Sequence, residues 1–244
     1  MHRACLAAAL LALATTGAAR AGQLDISPIV MELSPESPSA LLSLRNVGEP
    51  AARFQVRIFV WAQTPEGKMD LAPTRDVAAY PPLLEIPAGE ERKIRIGAKD
   101  ARPGPRERSY RLLLEEMPRG DAPPAGQVRV LTRISVPIFL RPQTAVAKSE
   151  IRIAEGHAGR FRAALRNLGT VHVRPQSVRV VARDAARKVV GEQDLQAWYV
   201  LAGDERVYDV ELPASACPAA RTATITAAYE LGAVEATAND VCAP

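Results

Sequence analysis

The stretch QVRVLTRISVPIF, from Gln127 to Phe139, decides how the rest of the chain is read. Taken two residues at a time, Val128, Val130, Thr132, Ile134, Val136 and Ile138 fall on one side, and Arg129, Arg133 and Ser135 fall on the other. That alternation is the pattern of a half-buried strand. Pro137 has no N–H to give a ladder and the arginines occupy the polar side, so the strand fits a sheet edge better than a sheet centre. An edge of this kind can recruit another chain. Two uses of the apolar row therefore stand side by side: it completes this protein's own core, or part of it is offered to a partner whose fold lacks a strand.

Moving outward, the 244 residues are too many for one ordinary sandwich and suit two domains of roughly a hundred residues each. His2 and Arg3 precede an apolar run from Cys5 to Ala14, and Ala19-Arg20-Ala21 has the small-x-small form of a signal-peptidase site. Residues 1–21 read as a signal peptide cut after Ala21, with Gly22 as the new N-terminus. The run is too short to span a bilayer, and no later segment is apolar for long enough, so the expectation is an exported soluble protein without stable membrane insertion. Cleavage takes Arg3 and Arg20 from the 31 basic residues and none from the 27 acidic ones, so the net charge falls from +4 to +2. Such a balance favours no polyanion partner. Cys5 leaves with the signal. Cys217 and Cys242 remain, and in an oxidising compartment they are expected to pair, a bridge worth roughly 3 kcal/mol to the C-terminal part; two free thiols are the other reading.

From Leu24 onward the chain shows short period-two runs broken by turn residues and nothing with a helical period. Leu24–Leu33 is interrupted by Pro28, which suits an edge or a strand that switches sheets. Ala40–Arg45 ends in the turn signal Asn46-Val47-Gly48. In Arg53–Trp61, Phe54, Val56, Ile58 and Val60 face one way and Gln55 and Arg57 the other. Residues 64–90 are rich in proline and glycine and read as loops and short edges. Arg92–Ala98 alternates again, with Ile94 and Ile96 inward. Tyr110–Met117 is apolar enough for a strand deep in a sandwich. Pro118–Gly126 is a loop, Arg141-Pro142 stops the opening strand, residues 143–148 form a linker, and new strands begin at Ile151. Leu44-Arg45-Asn46-Val47-Gly48 returns as Leu165-Arg166-Asn167-Leu168-Gly169, 121 residues later. An echo at one domain length suggests that both halves share one sandwich plan.

The first half resembles the N-terminal domain of the periplasmic pilus-assembly chaperones, the PapD-like family. The resemblance rests on Tyr80-Pro81-Pro82 with Leu84, Ile86, Pro87 and Gly89, on the Arg92–Ile96 strand, on Tyr110-Arg111-Leu112 running to Glu116-Met117-Pro118, and on Leu140-Arg141-Pro142. It implies an all-β protein of two immunoglobulin-like β-sandwich domains in an L shape, residues 22–142 and 149–244. It also implies a periplasmic chaperone that binds pilus subunits by donor-strand complementation and delivers them to an outer-membrane usher. Val128, Val130, Thr132, Ile134 and Val136 would fill the subunit's open groove, and no cofactor, metal or catalysis is required. Self-pairing of the free form stays open.

The chain departs from the family at one point. The best-known members clamp the subunit's terminal carboxylate with two cations, but the matching positions here are Pro137 and the segment Pro28–Met31. The chain is similar in this to the divergent branch that serves spore-coat-U-like pili. Arg95, Arg111, Arg129 and Arg133 are the candidate anchors, because a guanidinium can hold a carboxylate through two bonds. The family's interdomain charge cluster maps onto Glu107, Arg141 and Glu230.

Other classes fit less well. The mature chain has only His157 and His172, with no second histidine or cysteine at ligand spacing and no HExxH, GxSxG or phosphate-binding loop, so no enzyme is expected. The basic run Arg92–Arg111 lacks stacking aromatics beyond Tyr110 and does not point to nucleic acid. The remaining alternative is a secreted immunoglobulin-like structural or adhesion module.

Overall fold

Period-two patterning gives strands throughout: the computed structural model describes residues 24–118, 120, 130–154 and 156–242 and has no helix among them. The proposed signal peptide, Val128 and Arg129 lie outside the described residues. Among the described residues there is no helix long and apolar enough to cross a membrane.

The first half contains β1 (Leu24–Ser27), β2 (Met31–Leu33), β3 (Ser39–Asn46), β4 (Ala52–Gln63), β5 (Met69–Pro73), β6 (Val77–Tyr80), β7 (Leu83–Ile86), β8 (Glu91–Ala98), β9 (Arg108–Glu116) and β10 (Arg133–Leu140). One sheet runs β1-β3-β8-β6; the other runs β2-β10-β9-β4-β5, with β7 also on β4. The chain changes sheet at Pro28: β1 pairs with β3, and β2 pairs with β10 in parallel. The inward rows of the two sheets meet in one core that includes Leu42 and Leu44, Phe54 and Val56, Ile94 and Ile96, and Tyr110, Leu112 and Leu114. Outward partners such as Arg53, Gln55, Lys93 and Arg95 are exposed.

The second half contains β11 (Ser149–Ile153), β12 (Arg160–Asn167), β13 (Ser177–Arg183), β14 (Val189–Leu195), β15 (Glu205–Glu211), β16 (Thr222–Tyr229) and β17 (Gly232–Asn239). Sheets β11-β12-β15 and β14-β13-β16-β17 enclose a second core around Phe161, Leu165, Val180, Val210 and Ile225. A disulfide joins Cys217 to Cys242.

The repeated pentapeptide does the same work in both halves. Asn46 is 2% exposed; its Nδ2 donates to the carbonyls of Pro50 (2.7 Å) and Ile86 (3.0 Å), and its Oδ1 accepts from Gly48 N. Asn167, also 2% exposed, donates to the carbonyls of Val171 (2.8 Å) and Val200 (2.9 Å) and accepts from Gly169 N. A buried amide at the end of a strand thus satisfies the backbone of the turn beside it and of a distant strand end.

The halves meet along a seam. Glu107 N donates to Thr170 O (2.8 Å), Val207 N to Pro65 O (2.7 Å) and Gln63 Nε2 to Tyr199 O (2.8 Å). Two glycines with left-handed backbone receive arginines from the opposite half: a Cβ on Gly67 (φ 80°) would lie 2.4 Å from the Arg206 guanidinium, and one on Gly203 (φ 82°) would lie 2.1 Å from that of Arg106. Only glycine tolerates both the backbone and the close approach there.

Candidate functional site

β10 carries the strand expected from Gln127 to Phe139, but its ladder is shorter. It pairs with β9 from Arg133 to Leu140. At Thr132 the carbonyl still accepts from Glu116 N (2.9 Å), whereas Thr132 N donates to the Glu116 carboxylate (3.0 Å) in place of a backbone carbonyl, and the regular ladder ends. On its other border β10 is closed only at Ile138–Leu140, where β2 lies alongside. From Arg133 to Pro137 that border has no strand beside it among the described residues.

The apolar row divides accordingly. Val136, Ile138 and Leu140 are at most 3% exposed and belong to the first core, and Ile134 is half-buried against it. Val136 was expected among the residues that fill a partner; its side chain is instead consumed by its own domain, because β2 and β9 bring the sandwich's inner face up to it. Val130 is 60% and Leu131 45% exposed, so the apolar surface left over lies where β10 begins.

The candidate cations are scattered. Arg95 lies on β8, in the sheet that lacks β10, and donates to Ser39 Oγ (3.3 Å), so it does not reach the open edge. Arg133 sits on the edge and pairs with Glu115 (3.2 Å), which Arg57 also holds. Arg129 falls outside the described residues. Arg111 differs from all of them: it is 3% exposed, its guanidinium lies 3.6 Å from the centre of the Trp61 ring, and its Nε and Nη2 are buried without an acceptor. Burial pulls it down to about 10, still charged at neutral pH. It lies on the face of β9 opposite Tyr110 and Leu112, and Trp198 and Tyr199 from the second half cover it there.

A cation stacked on an indole gains about 0.5–2 kcal/mol, while each unsatisfied buried N–H costs about 1–3 kcal/mol. The net sign is unfavourable. Arg111→Met, which keeps the stem against Trp61 and removes the charge, is expected to stabilise the free protein by about 1–3 kcal/mol, read by chemical denaturation. Sequence reasoning did not find the surrounding cluster, in which Trp61, Phe139 and Tyr199 pack with Leu201 and against Trp198. Its signal was available: both tryptophans of the chain stand here, one from each half.

Of the expected trio of Glu107, Arg141 and Glu230, Glu107 acts on Arg141 electrostatically without a hydrogen bond between them, and Glu230 joins neither. Arg141 bonds Glu32 through Nε (2.9 Å), its neighbour one strand away on β2. The Glu107 carboxylate, 4% exposed, accepts from both the backbone N (3.1 Å) and the ring Nδ1 (2.8 Å) of His172, whose ring stacks on Phe139 at 3.7 Å. Glu230 is exposed in the turn between β16 and β17 and makes no ion pair among the described residues. The carboxylate crossing the seam is therefore hydrogen-bonded by a histidine and meets Arg141 only through its charge. Among the described residues no three His, Cys, Asp or Glu side chains are grouped to hold a metal.

Residues 23–145 match the family described as pili and flagellar-assembly chaperones, PapD N-terminal domain. No curated protein is similar to the chain by sequence. Solved structures resemble it over nearly its whole length. The CsuC–CsuE chaperone–tip adhesion subunit pre-assembly complex from the archaic chaperone-usher Csu pili of Acinetobacter baumannii contains a chain matching with TM-score 0.63 at 19% identity, over 88% of this chain and 98% of that one. The Salmonella enterica SafA pilin in complex with the SafB chaperone gives 0.58 at 14% identity, over 91% and 99%. The CupB2 chaperone of Pseudomonas aeruginosa gives 0.52 at 14% identity, over 88% and 98%. At these identities the likeness is one of fold.

Proposed function

Because the chain belongs to the family of pili and flagellar-assembly chaperones, we propose that it is a periplasmic chaperone of the chaperone-usher pathway. In this reading it binds pilus subunits by donor-strand complementation and hands them to an outer-membrane usher, with residues 1–21 removed on export. The observation that carries this is the one-sided pairing of β10 between Arg133 and Pro137, preceded by the exposed apolar Val130 and Leu131. A subunit strand added to that border would satisfy the free backbone groups, and Val128, Val130, Thr132 and Ile134 would enter its groove. In the free form the same border is open to a second copy of the chain.

Arg111 is the favoured anchor for the subunit's terminal carboxylate. It is the candidate with buried N–H groups that lack acceptors, and a carboxylate would supply them. Arg174, exposed and bonded to the Tyr199 hydroxyl (3.2 Å), stands next to it as a second cation. An anchor drawn from β9 fits the divergent branch, since Pro137 and Pro28–Met31 offer no cation.

The test is co-expression in the periplasm with a pilus subunit, followed by hydrogen exchange on the purified complex. Residues 130–137 are expected to gain strong protection while the β14 edge does not. Unchanged exchange across 130–137 in a stable complex would refute the donor role.

A further inference from the structure

The second half carries a groove at the turn between β16 and β17. It has a volume of about 560 Å³ and lies beneath the β16–β17 turn, lined among others by His172, Val173, Arg174, Tyr229, Leu231 and Val234. Leu231, at the tip of that turn, is 95% exposed, the most exposed large apolar side chain among the described residues. Tyr229 is held at the floor by its hydroxyl, 2.9 Å from Ser149 Oγ.

Arg174 connects this groove to the buried cation. Its guanidinium lies 5.0 Å from the centre of the Tyr199 ring, and that of Arg111 lies 5.6 Å from the same ring. Neither arginine makes an ion pair among the described residues. Arg174 is also one of the residues that line the groove, so a carboxylate held by this pair would have one of its two ligands on the groove wall. A chain's last residue bears its carboxylate and its side chain on one Cα. Once the carboxylate is held, that side chain is the part of the ligand within reach of the groove.

We infer that the groove is a subsite for the terminal side chain of the bound partner, and that it selects a large apolar residue there. This rests on the reading that Arg111 anchors the carboxylate. The walls supply the selectivity: Val173, Val234 and Leu231 offer apolar surface, and burying a fully exposed leucine against a partner side chain is worth on the order of tenfold in affinity or more. A small polar terminal residue would leave that surface wet.

The probes are three N-acetylated hexapeptides of otherwise identical sequence, titrated calorimetrically into the full mature chain: one ending in phenylalanine as the free acid, one ending in serine as the free acid, and one ending in phenylalanine amide. The phenylalanine acid is expected to bind at least about tenfold more tightly than the serine acid. Leu231→Ser, a change at a solvent-exposed turn, and Val234→Trp, which fills the groove, should each erase that preference and leave serine-acid binding in place. Equal binding of the two acids, or a preference that survives both variants, overturns the subsite while the anchor stands. Equal binding of acid and amide overturns the anchor itself. Failure of both acids to bind overturns the two together.

Discussion

Val130→Asp combined with Ile134→Asp is expected to eliminate recovery of a pilus subunit with the chaperone while the purified variant still folds. Val130 is 60% exposed in the free protein, so a carboxylate there costs the fold little. Ile134 is half-buried at the margin of the first core, and its replacement takes a modest share of the stability. In the complex both side chains would enter an apolar groove. Losing two large side chains there removes about 1.5–3 kcal/mol each, and seating two unpaired carboxylates in their place is worse still. At about 1.4 kcal/mol per tenfold, the affinity should fall by at least about a thousandfold. The measurement is subunit co-purified per mole of chaperone, with circular dichroism of the variant alone. Full recovery of subunit would remove the donor role. Val136→Asp makes the contrasting control: 3% exposed within the core, it should unfold the first half whether or not a partner exists.

Asn46→Ala and Asn167→Ala are the other large effects. Each substitution deletes a side chain, itself 2% exposed, that satisfies two carbonyls and one N–H, of which the bonds to Ile86, Val200 and Gly169 are fully buried and the others partly so. At about 1–3 kcal/mol per buried group left unpaired, part of it recovered by relaxation, the cost should be about 3–5 kcal/mol in the half that carries the change. Chemical denaturation followed by site-resolved hydrogen exchange should show the loss confined to residues before the linker for Asn46 and after it for Asn167. Equal loss across both halves would mean that the seam, rather than each sandwich, sets the stability.

These asparagines show what could be read early. Their pentapeptide repeats at one domain length, so a shared plan was visible before any contact was known, although the bonds that make it worth repeating were not. Strand positions were legible for the same reason. Alternation at Phe54 and Val56 or at Ile94 and Ile96 is a local property, imposed by a backbone that turns each successive side chain to the opposite face. Pro28 could be read as a change of sheet because proline cannot serve a ladder.

The candidate site was legible only in outline. Period two assigns Val130, Ile134 and Val136 to one face but cannot say where along that face the protein's own core ends. That limit falls between Ile134 and Val136, set by β2 and by the inner face of the sandwich. Arg111 sits opposite Leu112 in the alternation, which by itself says nothing of burial, and Trp198 and Tyr199, distant in sequence, roof it over. Arg141 chose Glu32, and Glu107 chose His172, through pairings that depend on which strands lie adjacent.

The amino-acid order by itself determined an all-β chain in two similar halves, with a strand near their boundary suited to an edge, because burial alternation and turn chemistry act over a few residues. Which part of that edge stays open, and which cation lies buried without a partner, were decided by tertiary structure alone. Both depend on surfaces that come together only when segments a hundred residues apart pack against each other.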